Sequence, residues 1–277
     1  MSETSSVMGR ARAQPSRFRQ WLSDTGDALA TVFFPAGCRI CDELLTRASR
    51  VPICDACLSS FAAPPFTKCE VCGQPLPSFA PAESQAKTCP ACREKTYAFS
   101  RARNLGVYQG ALARAIVMLK FEEMEPLGTW FAHRLAELAK LEGEAMEADV
   151  VVPVPLHRDR QRERGYNQAA MISEPLAKAL GLPHRAVLLM RTRPRPDKQV
   201  LSLAEHWSSV RGAFATRPGS QVDKLRVLLV DDVLTTGATL DACSRALLDS
   251  GAKSVVGLTV ARAASNPGPA PAKVKRS

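Results

Sequence analysis

Val227-Leu-Leu-Val-Asp-Asp-Val-Leu-Thr-Thr-Gly-Ala-Thr-Leu240 is the stretch of sequence that decides the fold. Its first four residues are apolar and β-favouring, which predicts a buried parallel strand, and a short turn then opens into a helix. Parallel α/β sheets bind ligands beyond the carboxyl ends of their strands. The start of a helix offers unpaired N–H groups to an anion. The stretch therefore predicts a phosphate site in an α/β domain.

The polar residues of this stretch suit a phosphorylated ribose. They are two acids, three threonines and a glycine, namely Asp231, Asp232, Thr235, Thr236, Gly237 and Thr239. The hydroxyls can donate to a phosphate, and the glycine lets the backbone approach it closely. The acids would repel a phosphate but accept hydrogen bonds from sugar hydroxyls. An ordinary capped helix is the alternative, since Asp and Thr are common caps, but it leaves most of the pattern unexplained.

Eight of the nine cysteines form a second pattern. They make four Cys-x-x-Cys pairs, which are Cys38 and Cys41, Cys54 and Cys57, Cys69 and Cys72, and Cys89 and Cys92. Because Zn²⁺ takes four thiolates in a closed structural site, the pattern predicts two zinc ions. We expect the first two pairs to form one site and the last two the other, although the spacing also allows a crossed pairing. Iron–sulfur ligation is the competing interpretation. A zinc hydrolase is disfavoured, because closed sites leave no position for water.

The positive charge of the chain is concentrated in one stretch. The formal net charge is +10, and residues 157–217 carry twelve Lys and Arg against five Asp and Glu. A basic stretch beside a phosphate site suits a polyphosphate ligand and equally a nucleic-acid backbone. The cysteine-rich residues 38–99 carry seven basic and six acidic residues, and so offer no basic stripe of their own.

Composition and periodicity divide the chain into five segments. We expect a disordered N-terminus (1–17), an amphipathic helix (18–37), a cysteine-rich domain (38–99), an α/β domain (100–263) and a disordered tail (264–277). No run of about 18 apolar residues appears, so we expect no stable membrane insertion and a cytoplasmic protein.

Within the α/β domain, a second buried parallel strand is expected at 149–156, where prolines end it. An arginine-rich stretch follows, and then a helix that continues to about Leu180. The polar residues 191–200 predict a mobile loop that could close over a charged ligand. Lys120, at the end of a helix predicted over 111–121, is expected on the surface rather than in the site.

The stretch 227–239 resembles the 5-phosphoribosyl-1-pyrophosphate (PRPP) motif of type I phosphoribosyltransferases. That motif consists of apolar residues, two acids, two further positions, Thr-Thr-Gly, any residue and Thr, and every position matches. The whole chain resembles the ComF family, whose members join a double zinc ribbon to a phosphoribosyltransferase domain. The resemblance rests on the four cysteine pairs and on residues 152–156, 162–168, 199–202, 211–214 and 227–240.

The resemblance implies the fold and the roles of the site residues. The fold would be a parallel sheet flanked by helices, of the type I phosphoribosyltransferase kind, after a small double zinc ribbon. Asp231 and Asp232 would hold the ribose hydroxyls during catalysis, and residues 235–239, including Ala238, would hold the 5-phosphate. Pro153 and Val154 would lie in the pyrophosphate loop. Mg²⁺ would bridge PRPP oxygens and help to stabilise the departing pyrophosphate.

Two functions agree with these observations. The first is a phosphoribosyltransferase that binds PRPP or a related ribose phosphate, releases pyrophosphate and is linked to DNA uptake in natural competence. The second is a non-catalytic competence factor that binds single-stranded DNA and keeps the phosphate ligand as a regulator, since this fold also serves binding without catalysis. The resemblance adds other competence or DNA-processing proteins as partners.

Overall fold

The computed structural model describes residues 36–47, 49–62, 67–76, 87–194 and 202–263. The chain divides into two compact units, Met1–Cys54 and Asp55–Ser277. The helix expected within 18–37 and the disordered ends expected at 1–17 and 264–277 lie outside the described residues, apart from residues 36 and 37. The five-segment division of the chain remains a prediction.

The described part of the first unit is a cysteine knuckle. Gly37 and Leu44 form an antiparallel bridge, and the N–H of Cys38 donates to the carbonyl of Glu43 over 2.7 Å. This short turn brings Cys38 and Cys41 to the same side of the chain, as a metal site requires.

The second unit contains alternating helices and strands. Its elements in chain order are α1 (Asp55–Ser59), α2 (Pro90–Glu94), β1 (Arg101–Val107), α3 (Gly110–Phe121), α4 (Glu125–Glu142), a 3₁₀ turn (Gly143–Met146), β2 (Val150–Pro153), α5 (Arg158–Arg164), α6 (Gln168–Leu180), β3 (Leu189–Arg191), α7 (Leu203–Val210), β4 (Phe214–Thr216), β5 (Arg226–Leu234), α8 (Ala238–Asp249) and β6 (Ser254–Arg262).

Four of these strands form a parallel sheet in the order β1-β6-β5-β2. Leu228, Leu229 and Val230 in β5 are fully buried, as expected for a strand covered on both faces. Helix α3 turns its apolar side, with Ile116 and Leu119, into the core. A parallel sheet flanked by helices confirms the predicted fold class. Strands β3 and β4 pair separately as a small antiparallel ribbon.

Strand β5 is longer than the sequence predicted. The expected strand ended at Val230, before the acids, but pairing with β6 continues through Leu234 and includes Asp231 opposite Thr259. Pairing with β2 ends earlier, where Pro153 lies opposite Val230. A proline cannot donate to the ladder, so the acids project beyond the end of β2 and are paired on one side only.

The second cysteine-rich knuckle belongs to the core of this unit. Cys69, Cys72 and Cys89 lie in the same buried cluster as Leu229 of β5 and Leu240 of α8. The N–H of Ala102 in β1 also donates to the carbonyl of Val71. No helix in the described part of the chain is long and apolar enough to cross a membrane.

Gly106 in β1 is a sensitive point of this packing. A Cβ at this position would lie 2.1 Å from the carbonyl oxygen of Phe61, which is backbone and cannot move aside cheaply. We expect Gly106→Ala to destabilise the protein by about 2 kcal/mol or more, as overpacking does. Thermal denaturation measures this effect.

Gly128→Ala provides the matched control. Its nearest neighbour would be a carbonyl oxygen at 3.1 Å, and alanine is favoured in a helix by about 1 kcal/mol over glycine. The variant should therefore melt close to the wild type. Equal melting temperatures for both variants would contradict the packing at Gly106.

Candidate ligand site and metal centres

Asp231 and Asp232, here called the acid pair, lie on opposite faces of β5 because consecutive strand residues alternate. Asp231 lines a small open depression together with Thr235, Gly237 and Thr239. Its Oδ1 accepts a hydrogen bond from the N–H of Asp232 over 2.9 Å. Burial and the neighbouring carboxylate of Asp232 raise the pKa of Asp231 to about 8. Ionisation of the carboxyl that faces the depression is therefore unfavourable in the folded protein.

Asp232 is buried and has a cationic partner that the sequence did not reveal. Its Oδ2 lies 3.1 Å from Nζ of Lys120, at the end of α3. The expectation that Lys120 lies on the surface was wrong, since only 21% of its side chain is exposed. The lysine compensates the negative charge of Asp232, which would repel a second negative charge on Asp231.

Residues 235–239, here called the ligand loop, turn the chain from β5 into α8. Gly237 has φ of +85°, a left-handed conformation that other residues rarely adopt. Within the described residues, the N–H groups of Thr235, Thr236 and Gly237 donate no hydrogen bond to the protein. Three free donors at the start of a twelve-residue helix have the arrangement that an anion requires, and phosphate binding by these residues stays a prediction.

Helix α7 contributes a residue to the ligand loop that the sequence analysis missed. Nδ1 of His206 lies 2.9 Å from Oγ1 of Thr236, which also accepts from the N–H of Ala238. The helix begins with a capping box, in which Ser202 and Glu205 bond each other's backbone N–H groups. This Ser-x-x-Glu spacing was a readable signal for a helix start.

The expected pyrophosphate loop lies beside the acid pair. Pro153 ends β2, and the N–H of Val154 donates to the carbonyl of Val230 over 2.8 Å, one residue before Asp231. Nδ2 of Asn167 donates to the carbonyl of Val154 over 3.0 Å and holds the segment in place. Of the expected mobile loop at 191–200, only residues 191–194 are described.

The eight paired cysteines form two compact groups. The first cysteine group is Cys38, Cys41, Cys54 and Cys57, and the second cysteine group is Cys69, Cys72, Cys89 and Cys92, with ligand atoms within 4.8 Å of one another in each group. This is the grouping that the sequence analysis favoured over the crossed one.

The sulfur spacing fits a tetrahedral metal. The Sγ atoms of Cys41 and Cys54 are 3.6 Å apart, and those of Cys72 and Cys89 are 3.7 Å apart. A Zn–S bond of about 2.3 Å gives a tetrahedron edge of about 3.8 Å, close to both distances. The residues present therefore fit two Zn²⁺ ions held by sulfur alone, with no open position for catalysis.

Each cysteine group contains one sulfur that is readily ionised. A hydrogen bond from the Cys72 thiol, assisted by backbone N–H groups, lowers the pKa of Cys69 to about 4. Burial opposes ionisation of Cys38, but backbone N–H groups outweigh it and lower its pKa to about 6. Metal ligation requires thiolates, so both groups are partly prepared for a metal.

The first cysteine group should fold only with its metal, because the described residues around it include few core side chains. We expect Cys54→Ser to release about one zinc per chain and to unfold the first group while the α/β fold persists. Zinc content by atomic absorption and the far-ultraviolet circular dichroism of the variant measure the two effects. Unchanged zinc content would contradict the four-thiolate assignment.

The raised pKa of Asp231 predicts a pH-dependent cost in stability. The folded protein holds this proton until about pH 8, whereas an unfolded Asp loses it near pH 4, so the wild type loses stability as pH rises between these values. Asp231→Asn cannot ionise, so the variant should melt several degrees above the wild type at pH 8 and by a smaller margin at pH 5.

Asp223→Asn is the control for this prediction, because Asp223 is exposed. It should show no comparable change of melting temperature between the two pH values. A difference between Asp231→Asn and the wild type that is the same at pH 5 and pH 8 would argue against a protonated Asp231.

Comparisons with known proteins find relatives that are similar to most of the chain. The model of the phosphoribosyl transferase domain family matches residues 167–277. Competence protein F of Haemophilus influenzae is 28% identical over 219 residues, which cover 76% of this chain and 90% of that protein. The DNA utilization protein YhgH of Salmonella typhimurium is 28% identical over 80% of this chain and 94% of its own length.

A third relative shares a shorter segment. Competence protein ComFC of Bacillus subtilis is 34% identical over 114 residues, which cover 41% of this chain and 44% of that protein. Three findings support the resemblance predicted from the sequence, namely the names of the homologues, the match to the transferase domain and the two cysteine groups. The chain is therefore similar to proteins named for competence and DNA utilization, and it joins a phosphoribosyl transferase domain to two four-cysteine groups, the combination that its sequence motifs predicted.

Proposed function

We propose that the chain binds PRPP, together with Mg²⁺, at the acid pair and the ligand loop. The observation that carries this proposal is that Asp231 and the ligand loop line the same depression. The free N–H groups of the loop suit the 5-phosphate, and the carboxyl of Asp231 suits a ribose hydroxyl. A phosphate ester of ribose presents both chemical groups to one site.

The segment of Pro153 and Val154 would hold the pyrophosphate. It lies next to the acid pair because its hydrogen bond to Val230 places it across from the end of β5. The acid pair offers the hard carboxylate oxygens that Mg²⁺ prefers, and the ion would supply positive charge against the diphosphate when it is bound.

Transfer would break the bond between the anomeric carbon and the pyrophosphate oxygen, which leaves with the electron pair. An acceptor atom then bonds to the anomeric carbon and gives up its proton. The acid pair would hold the ribose while the carbon carries positive charge. Asp231 and Asp232 are therefore the proposed catalytic residues, and Thr235, Thr236, Gly237, Ala238 and Thr239 the proposed phosphate-binding residues.

The names of the relatives support a role of the proposed activity in DNA handling. Proteins named for competence and for DNA utilization match this chain over most of their length. We therefore propose that the chain serves the use of DNA taken up during natural transformation, with single-stranded DNA and other DNA-processing proteins as partners.

Single-stranded DNA binding without transfer is the second candidate, and the surface of α5 favours it. Arg158, Arg160 and Arg162 are exposed there. The guanidinium of Arg164 lies 5.1 Å from the ring centroid of Phe121, whose side chain is 60% exposed. Exposed arginines beside an accessible aromatic ring are typical of single-strand binding surfaces.

The double variant Asp231→Ala with Asp232→Ala tests the assignment of the ligand. We expect PRPP binding in the presence of Mg²⁺ to fall below detection, because the variant lacks the acceptors for the ribose hydroxyls. Isothermal titration calorimetry measures the affinity, and far-ultraviolet circular dichroism checks that the fold is kept. Wild-type affinity in the double variant would refute the assignment.

The two candidates differ in a second measurement. A transferase releases pyrophosphate from PRPP when a suitable acceptor is supplied, which a screen of nucleobases and nucleosides can detect. If no acceptor supports release, while single-stranded DNA binds with an affinity that falls steeply with salt, the non-catalytic candidate is favoured.

A further inference from the structure

The second cysteine group lies next to the ligand loop, and Arg262 connects them. Arg262 ends β6 and is only 5% exposed. Its Nη1 donates to the carbonyl of Leu234 over 2.9 Å and also to the carbonyl of Thr235. Its Nη2 lies 4.0 Å from Sγ of Cys72. One buried guanidinium therefore contacts a metal-ligating sulfur on one side and the beginning of the ligand loop on the other.

Tyr97 forms a second connection. It follows Cys92 by five residues, and its hydroxyl donates to the carbonyl of Thr236 over 3.2 Å. A Cβ on Gly237 would lie 2.6 Å from Cε1 of the tyrosine ring. The ring also stacks on Phe99, with centroids 4.7 Å apart. The glycine of the ligand loop therefore serves two needs, its left-handed φ and the close approach of this ring.

A third contact fixes the first turn of α8. The N–H of Ala98 donates to Oδ1 of Asp241 over 2.7 Å, and this carboxylate is 4% exposed. Nε of Arg245 donates to its other oxygen over 2.8 Å. The chain that leaves the second cysteine group is thus bonded to the helix whose start forms the anion site.

We propose that Arg262 and Tyr97 are positioning residues, through which metal in the second cysteine group sets the conformation of the ligand loop. Four sulfurs around one ion fix the two knuckles relative to each other, and this holds Cys72 and the segment that leads to Tyr97. Without the ion, Cys72 and the segment that leads to Tyr97 are no longer held, so the guanidinium of Arg262 and the ring of Tyr97 lose the contacts that fix their positions. The backbone of Thr235, Thr236 and Gly237 then loses three of its contacts.

The loop conformation can be tested without any ligand. Hydrogen exchange in residues 231–241, followed by mass spectrometry, reports whether the loop is held, because the N–H groups of Ala238 and Asp241 are bonded to Thr236 and Gly237. We expect Cys72→Ser to lose about one zinc per chain and to speed exchange in this segment at least tenfold. Cys54→Ser, in the first cysteine group, should lose the same amount of zinc and leave exchange in 231–241 unchanged.

Two further variants separate loop positioning from general unfolding. Arg262→Met keeps the length of the side chain and should retain the zinc of both groups, yet speed exchange in 231–241 at least tenfold, with β2 still protected. Tyr97→Phe keeps the ring and should speed exchange by about threefold, because only one hydrogen bond is lost. Unchanged exchange in both Arg262→Met and Cys72→Ser would overturn the proposal.

The consequence for ligand affinity rests on the proposed function. Calorimetry with PRPP and Mg²⁺ should show at least tenfold weaker binding for Arg262→Met and wild-type binding for Cys54→Ser. If the wild type binds no PRPP, the proposed ligand is wrong, and the exchange experiment still decides whether the second cysteine group holds the loop. If PRPP binds the wild type and Arg262→Met equally well, Arg262 does not position the loop for this ligand.

Discussion

Asp231 and Asp232 are consecutive residues at the end of a buried parallel strand, and the site depends on how the protein offsets the cost of burying two acids. Lys120, at the end of α3, compensates the negative charge of Asp232. Asp231 has no such cation within hydrogen-bond distance among the described residues and keeps a raised pKa. The burial of these acids in β5, beyond the end of β2, lowers the stability of the folded protein. Residues that lower stability in this way are typical of ligand sites.

The local part of the site could be predicted from the sequence. The buried strand, the glycine turn and the helix start follow from residues within one continuous stretch, and each has a local physical cause. The cysteine grouping was also predicted, since the pairs join in the order in which they occur. The acids themselves were expected after the strand, but strand pairing extends through them because β6 supplies a partner as far as Leu234.

The parts that could not be predicted are contacts between distant residues. Lys120 and Asp232 are paired across more than a hundred residues, and a lysine at a helix end looks like any surface lysine. The same holds for Tyr97, whose hydrogen bond spans 139 residues. Arg262 appears in the sequence as one more basic residue near the end of a strand. Its role depends on the folded positions of β5, β6 and the second cysteine group.

These contacts between distant residues give the cysteine-rich region a structural role beside the ligand site. Its sequence predicts a separate domain with closed metal sites, but the second cysteine group shares a buried cluster with the strand and helix of the ligand site. The most direct test of the account is a crystal structure of the protein with PRPP and Mg²⁺. We predict the 5-phosphate within hydrogen-bond distance of the N–H groups of Thr235, Thr236 and Gly237, with a ribose hydroxyl on Asp231. A phosphate bound elsewhere, with the ligand loop empty, would contradict it.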